Sequence, residues 1–107
     1  MKQDRTIPEN ELETAAQRLA RAFLAMRSEE ECLALLDDLC TPAELEAIVD
    51  RFRAAELLAA GMAYREIHER TGVSVTTIGR VARFLSRGAG GYRLALDRLR
   101  RRARGQR

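Results

Sequence analysis

The feature that most constrains this chain is Gly72, which separates two short segments whose apolar residues recur at helical spacing. Glycine adopts positive φ without strain, so this position can end one helix and turn the chain sharply. Two residues later, the Ser74 hydroxyl can start a helix by accepting a hydrogen bond from the backbone amide of Thr76 or Thr77. The pattern over residues 64–85 therefore predicts a helix-turn-helix.

The second helix of this motif has two chemically different faces. Its apolar face, expected to pack on Ile67 and Val73, consists of Ile78, Val81, Ala82 and Leu85. Its other surface carries Ser74, Val75, Thr76, Thr77, Gly79, Arg80 and Arg83. Short side chains near a helix N-terminus allow close approach to base edges, and arginines reach phosphates, so this surface suits a DNA groove. An ordinary helical hairpin with a solvated Thr and Arg face is the alternative.

Charge is segregated along the sequence. The formal net charge is only +3, but residues 1–50 carry five Lys or Arg against twelve Asp or Glu, and residues 51–107 carry fourteen Arg against four acids. The predicted helix-turn-helix lies in the basic half. This asymmetry favours a polyanionic partner, namely double-stranded DNA, over a merely solvated basic surface.

Composition limits the compartment and the chemistry. The 107 residues suit one domain, with no signal peptide and no apolar run approaching the ~20 residues of a membrane span, so we expect a cytoplasmic protein without membrane contact. Cys32 and Cys40 lie on apolar helical positions without a second pair or nearby histidine, which favours buried reduced thiols over a disulfide or metal site. No nucleophile, base and acid set is evident, so neither an enzyme nor a cofactor is predicted.

Every recognisable segment is helical, so the predicted fold class is all-α with six helices. The folded part is expected to span residues 1–99, and the basic stretch 100–107 is expected to fray because it has nothing to bury. Beside helices 4 and 5 of the motif, the expected elements are helix 1 from about Pro8 to Met26, helix 2 from a capping box at Ser28–Glu31, helix 3 from Thr41–Pro42 to Gly61, and helix 6 from Tyr92 to about Arg102.

Helix order and several short motifs resemble the Trp repressor family, most closely its YerC/YecD branch, from roughly Leu19 to Leu99. The motifs are Asp38–Thr41, Arg51–Arg53, Gly72–Ser74, Ile78–Val81 and Gly88–Tyr92. The resemblance implies an intertwined homodimer in which helices 1, 2, 3 and 6 form a shared core and the helix-turn-helix units project toward DNA. Wide apolar stripes on helices 1 to 3 are consistent with such a dimer.

The resemblance also implies a set of DNA contacts at the start of helix 4 and in the first turns of helix 5. By position these are Arg65, His68, Val75, Thr76, Thr77 and Gly79. Arg65 could pair with a guanine, and Val75 could meet a thymine methyl. Two positions depart from the family. Ala63 replaces a frequent Ser or Thr cap, and His68 could be either a phosphate contact or a plain helix-surface residue.

Tryptophan-binding members of the family hold the indole between two arginines, and those positions match Arg51 and Arg80. Where those members have a Gly and a Ser, this chain has Val81 and Phe84, which add volume and remove a hydroxyl. The resemblance therefore implies a vestigial pocket that the protein itself fills. Any other small-molecule effector stays open.

Together these patterns predict a dimeric, sequence-specific regulator of transcription, acting as a repressor without responding to tryptophan. The alternative is a helix-turn-helix module that docks other proteins and does not recognise DNA sequence.

Overall fold

The computed structural model describes residues 9–105 of the chain, and side chains from residue 14 onward. All regular secondary structure in that part is helical, which confirms the predicted all-α fold class and the number of helices. The elements are α1 (Glu9–Ala25), α2 (Glu29–Leu39), α3 (Pro42–Ala59), α4 (Tyr64–Thr71), α5 (Val75–Arg87) and α6 (Gly91–Ala103). The expected helix start near Pro8 and the last two residues of the basic stretch lie outside the described residues.

Local hydrogen bonds explain where these helices begin and end. Ser28 caps α2 through its Oγ, which accepts from the Glu31 N–H at 3.1 Å. The Glu31 carboxylate accepts from the N–H of Arg27 at 2.7 Å, one residue before the partner expected in a capping box. At the end of α3, Gly61 has φ 90°, and the N–H groups of Gly61 and Met62 donate to the carbonyls of Leu58 and Leu57. That pair of bonds is a Schellman motif, which stops the helix there.

The chain divides into two compact units at the start of α3, with residues 1–42 in the first and 43–107 in the second. The first unit contains α1 and α2, and none of its residues between 14 and 42 is fully buried. The second unit contains nearly all of α3 together with α4, α5 and α6, and it has a core of its own. The single folded region expected over residues 1–99 stays a prediction.

The core of the second unit forms where three short helices pack on the C-terminal half of α3. Ile78 and Val81 of α5 pack with Ile67 and Val73, as the apolar spacing predicted, whereas Ala82 and Leu85 are only half-buried. The fully buried residues are Ala54, Ala55, Ile67, Val73, Ile78 and Val81. Burying these side chains holds α4 and α5 in a defined arrangement.

The last helix, α6, continues to Ala103, one residue beyond the end expected near Arg102. Asp97 supports its last turns, because it forms ion pairs with Arg100 at 3.8 Å and Arg101 at 3.2 Å along the helix. Cations in the last turn also interact favourably with the helix dipole.

Cys32 and Cys40 are free thiols, and both are half-buried rather than buried as expected. Among residues 9–105, no group of three or more His, Cys, Asp or Glu side chains is arranged to hold a metal ion. None of the described helices combines the length and apolar character that crossing a membrane requires.

Candidate nucleic-acid interface

The turn between α4 and α5 is built around Gly72, which has φ 78° and is left-handed. Its N–H donates to the carbonyl of His68 at 2.8 Å, and this single bond closes the last turn of α4. A built Cβ at Gly72 would meet nothing within 4 Å, so glycine is needed for backbone conformation and not for space.

Two side chains of α4 hold the residue after that glycine. The Thr71 hydroxyl donates to the carbonyl of Ile67 at 2.7 Å and accepts from the N–H of Val73 at 3.1 Å. The His68 ring binds the carbonyl oxygen of Val73 through Nδ1 at 2.8 Å. The sequence predicted either a phosphate contact or a plain surface residue at His68, and the structure adds a third role in fixing the turn.

Ser74 caps α5, as the sequence predicted. Its Oγ accepts from the N–H of Thr77 at 3.1 Å and donates to the Thr77 hydroxyl at 3.0 Å. Thr77 is half-buried and its hydroxyl accepts from Ser74, so both hydroxyls take part in the cap. Val75 and Thr76 remain exposed at the helix N-terminus, where backbone amides lack intrahelical acceptors.

One row of exposed side chains runs along α5. Its members are Thr76, Arg80, Arg83 and Arg87, which we call the outer row. They recur at intervals of four, three and four residues, so they share one side of the helix. Arg87 was not among the residues selected from the sequence, although continuing the same interval from Arg83 would have found it.

Arg80 is positioned by its neighbour one turn along the helix. The guanidinium carbon of Arg80 lies 5.5 Å from the centroid of the half-exposed Phe84 ring. Such a contact stabilises an exposed arginine by about 0.5–1 kcal/mol. Because stacking uses the face of the guanidinium, the N–H groups at its edge stay available to phosphate oxygens.

Tyr64 was not among the functional residues selected from the sequence. Its side chain is 43% exposed, and a built Cβ on Gly79 of α5 would lie 4.0 Å from its ring. Gly79 is half-buried beside that ring. A glycine inside an otherwise ordinary helix is a signal of close approach, and here the approaching group is an aromatic ring.

Arg65 is exposed on the first turn of α4. The residue before this helix, Ala63, has extended backbone angles and supplies no side-chain cap. The first turn of α4 therefore lacks the side-chain cap that both α2 and α5 possess.

The residues assigned to a vestigial ligand pocket do not form one enclosed cavity. Val81 is 1% exposed and belongs to the core, whereas Phe84 lies at the surface under Arg80, and Arg51 is exposed on α3. Phe84 and Phe52 line an open groove of about 410 Å³, and the other lining residues are Ala89, Gly90, Gly91 and Tyr92.

Three comparisons place this fold among known proteins. The chain is 40% identical over 81 residues to the uncharacterized protein YerC of Bacillus subtilis (strain 168). The matched region covers 76% of this chain and 78% of that protein. A crystal structure of a TrpR-like protein from Eubacterium eligens ATCC 27750 is 35% identical, with a TM-score of 0.78 over 85% of this chain and 95% of that one. A Staphylococcus aureus structure is 33% identical with the same TM-score of 0.78, over 88% of this chain and 96% of that one.

Residues 9–100 match the family described as Trp repressor protein, a range that spans both compact units. This match and the two solved structures agree with the six-helix order and with the helix-turn-helix at α4 and α5. The chain belongs to the Trp repressor family and to its YerC branch, and its fold is that of DNA-binding regulators.

Proposed function

We propose that this protein is a dimeric, sequence-specific double-stranded DNA-binding regulator, which represses transcription by occupying its operator. The observation that carries the proposal is the N-terminus of α5. Ser74 and Thr77 fix the first turn, which leaves Val75 and Thr76 exposed in front of a row of arginines. Short side chains at the tip and cations behind it suit insertion into the major groove.

Within that arrangement the residues divide by the part of DNA that they can reach. Val75 and Thr76 present a methyl and a hydroxyl to base edges, and Arg65 can donate two parallel bonds to a guanine. Arg80 and Arg83 lie farther along α5, where the duplex backbone runs past a helix in the groove. The exposed ring of Tyr64 offers a hydroxyl beside α5 for a phosphate or base contact.

Exposed apolar surface supports a homodimer. Leu24 is 84% exposed, and the first unit has no fully buried side chain between residues 14 and 42. Large aliphatic side chains that are at least 42% exposed also include Leu19, Leu33, Leu39, Ile48, Val49, Leu94 and Leu99. Soluble monomers rarely leave this much apolar surface in water, and a second copy with the same surface would cover it symmetrically. Two helix-turn-helix units would then meet half-sites about 34 Å apart.

Selection from a pool of random duplexes tests sequence-specific binding. We expect enrichment of a pseudo-palindrome whose half-sites lie one helical turn apart. Arg65→Ala and Thr76→Ala should each relax preference at one base position by about 1–3 kcal/mol. Arg83→Ala should weaken binding to every duplex and reduce the salt slope by about one.

A matched control distinguishes the loss of a phosphate contact at Arg83 from the loss of one positive charge anywhere on the protein. Arg18→Ala removes the same charge as Arg83→Ala, but from the exposed surface of α1. Equal effects of the two changes would contradict a phosphate contact at Arg83. If the folded wild-type protein enriches no sequence, and its binding to duplexes shows no salt dependence, the protein-docking alternative replaces this proposal. Sedimentation of a compact monomer at micromolar concentration would contradict the dimer.

A further inference from the structure

The C-terminal part of α6 is the most basic segment of the chain. Between residues 91 and 105 there are six arginines and one aspartate. The basic end of α6, as we use the term, comprises Arg98, Arg100, Arg101, Arg102 and Arg104, all of them exposed. None of these residues belongs to the helix-turn-helix.

Only part of this charge has a role within the protein. Asp97 pairs with Arg100 and Arg101, and cations in the last turn stabilise the helix dipole. Arg98 precedes the last turn and carries the same charge as Arg102 four residues later, an arrangement that destabilises an isolated helix. Among residues 9–105, the structure records no acidic partner for Arg98, Arg102 or Arg104.

The basic end of α6 lies near the start of the candidate interface. Leu96, Leu99, Arg100 and Ala103 line one groove together with Glu56, Ala59 and Ala60, so the last turns of α6 and the end of α3 flank the same groove. Only a short turn separates that end from α4, which begins at Tyr64 and carries Arg65 on its first turn. The basic end of α6 therefore lies beside the segment that leads into the helix-turn-helix.

We propose that the basic end of α6 is a second DNA-binding surface, which contacts phosphates of the same duplex outside the base pairs contacted by α4 and α5. This inference rests on the proposed DNA binding. All of the cations are arginines, whose planar fork matches phosphate oxygens bidentately. Phosphates would also relieve the repulsion between Arg98 and Arg102. The contacts add affinity and carry no sequence information.

The test compares two duplexes that share the selected operator. One is trimmed to about 20 bp, enough for two half-sites one turn apart, and the other extends about one further turn on each side. The variant Arg98→Gln/Arg102→Gln/Arg104→Gln removes the unpaired arginines and leaves both Asp97 ion pairs intact. The matched control Arg18→Gln/Arg21→Gln/Arg27→Gln removes three charges from the first unit.

Wild type is expected to bind the extended duplex about tenfold more tightly than the trimmed one, with a steeper dependence on salt. The α6 variant should lose that gain, and its salt slope on the extended duplex should fall by about 0.9 for each phosphate that it no longer binds. The control variant should retain the gain. Its affinity for the trimmed duplex should match that of the α6 variant.

Three outcomes overturn the inference. In the first, the α6 variant loses affinity equally on both duplexes. In the second, the control variant loses as much of the gain as the α6 variant. In the third, wild type does not distinguish the duplexes although it binds the operator specifically, which leaves the proposed function intact. Failure of wild type to bind either duplex refutes the proposed function itself, and this inference with it.

Discussion

The ring of His68 is joined across the turn to Val73, with 2.8 Å between Nδ1 and the carbonyl oxygen. A carbonyl oxygen can only accept, so Nδ1 carries the hydrogen in this arrangement. Val73 immediately precedes Ser74, the residue that caps α5. The bond therefore connects the end of α4 to the start of α5 and stabilises the direction in which α5 leaves the turn.

Replacing His68 should show whether its ring stabilises the turn or is a plain surface residue. We expect His68→Ala to lower the free energy of unfolding by about 1 kcal/mol, because the Val73 carbonyl loses its donor. His68→Asn should lose less, because its side-chain nitrogen is bonded to Cγ, as Nδ1 is in histidine. Urea denaturation of both variants measures the difference. Equal losses would mean that the hydrogen bond contributes nothing.

Ala63 is a vacant N-cap position with extended backbone, φ −71° and ψ 150°. Ala63→Ser should stabilise α4 by about 1 kcal/mol, since a hydroxyl there can accept from an amide of the first turn. Amide hydrogen exchange should slow at Arg65 and Glu66. As a control, Ala89→Ser places the same hydroxyl in an exposed link and should change nothing. A gain of similar size in both variants would exclude capping as the cause.

Two glycines of the motif should respond oppositely to the same substitution. Gly72→Ala meets open space but must keep φ 78°, so we expect a loss of about 1–2 kcal/mol. Gly79→Ala has helical backbone and an ordinary 4.0 Å contact with Tyr64, so it should gain about 0.5–1 kcal/mol. Thermal melting of the two variants gives the signs. Destabilisation by Gly79→Ala would show that the Tyr64 ring cannot tolerate a neighbouring methyl group.

Free L-tryptophan is expected to leave both stability and operator affinity unchanged, because Val81 fills space in the core and Phe84 pairs with Arg80. A ligand present at 100 times its dissociation constant would stabilise the fold by about 2.7 kcal/mol. Calorimetric titration and melting in millimolar L-tryptophan measure this directly. Saturable heat, or a tryptophan-dependent rise in melting temperature, would prove the interpretation of these two side chains wrong.

Features that depend on near neighbours in the chain were predictable from sequence. Three such features were predicted, and the structure has each of them: Ser74 caps α5, Gly72 is left-handed, and Ala63 supplies no side-chain cap to α4. Each depends only on residues within one or two turns. The pairing of Ile78 and Val81 with Ile67 was also predictable, because the 3.6-residue repeat determines which side of each helix is apolar.

Contacts across the turn were not predictable in the same way. Thr77 was expected on the outer surface, but it is half-buried and its hydroxyl accepts from Ser74. The approach of Tyr64 to Gly79 and the bond from His68 to Val73 depend on the angle between α4 and α5. That angle follows from how the apolar faces pack, which helical periodicity alone does not specify.

By itself, the sequence determined the helices, their caps, the helix-turn-helix and the family, because each depends on local chemistry or on a pattern read along the chain. Tertiary structure decided which polar side chains were used within the fold and which stayed exposed. Ser74, Thr77 and His68 were used in the turn, whereas Val75 and Thr76 stayed exposed. The physical reason is that a hydroxyl or imidazole beside a backbone group without a partner bonds to it, and only packing determines which groups become neighbours.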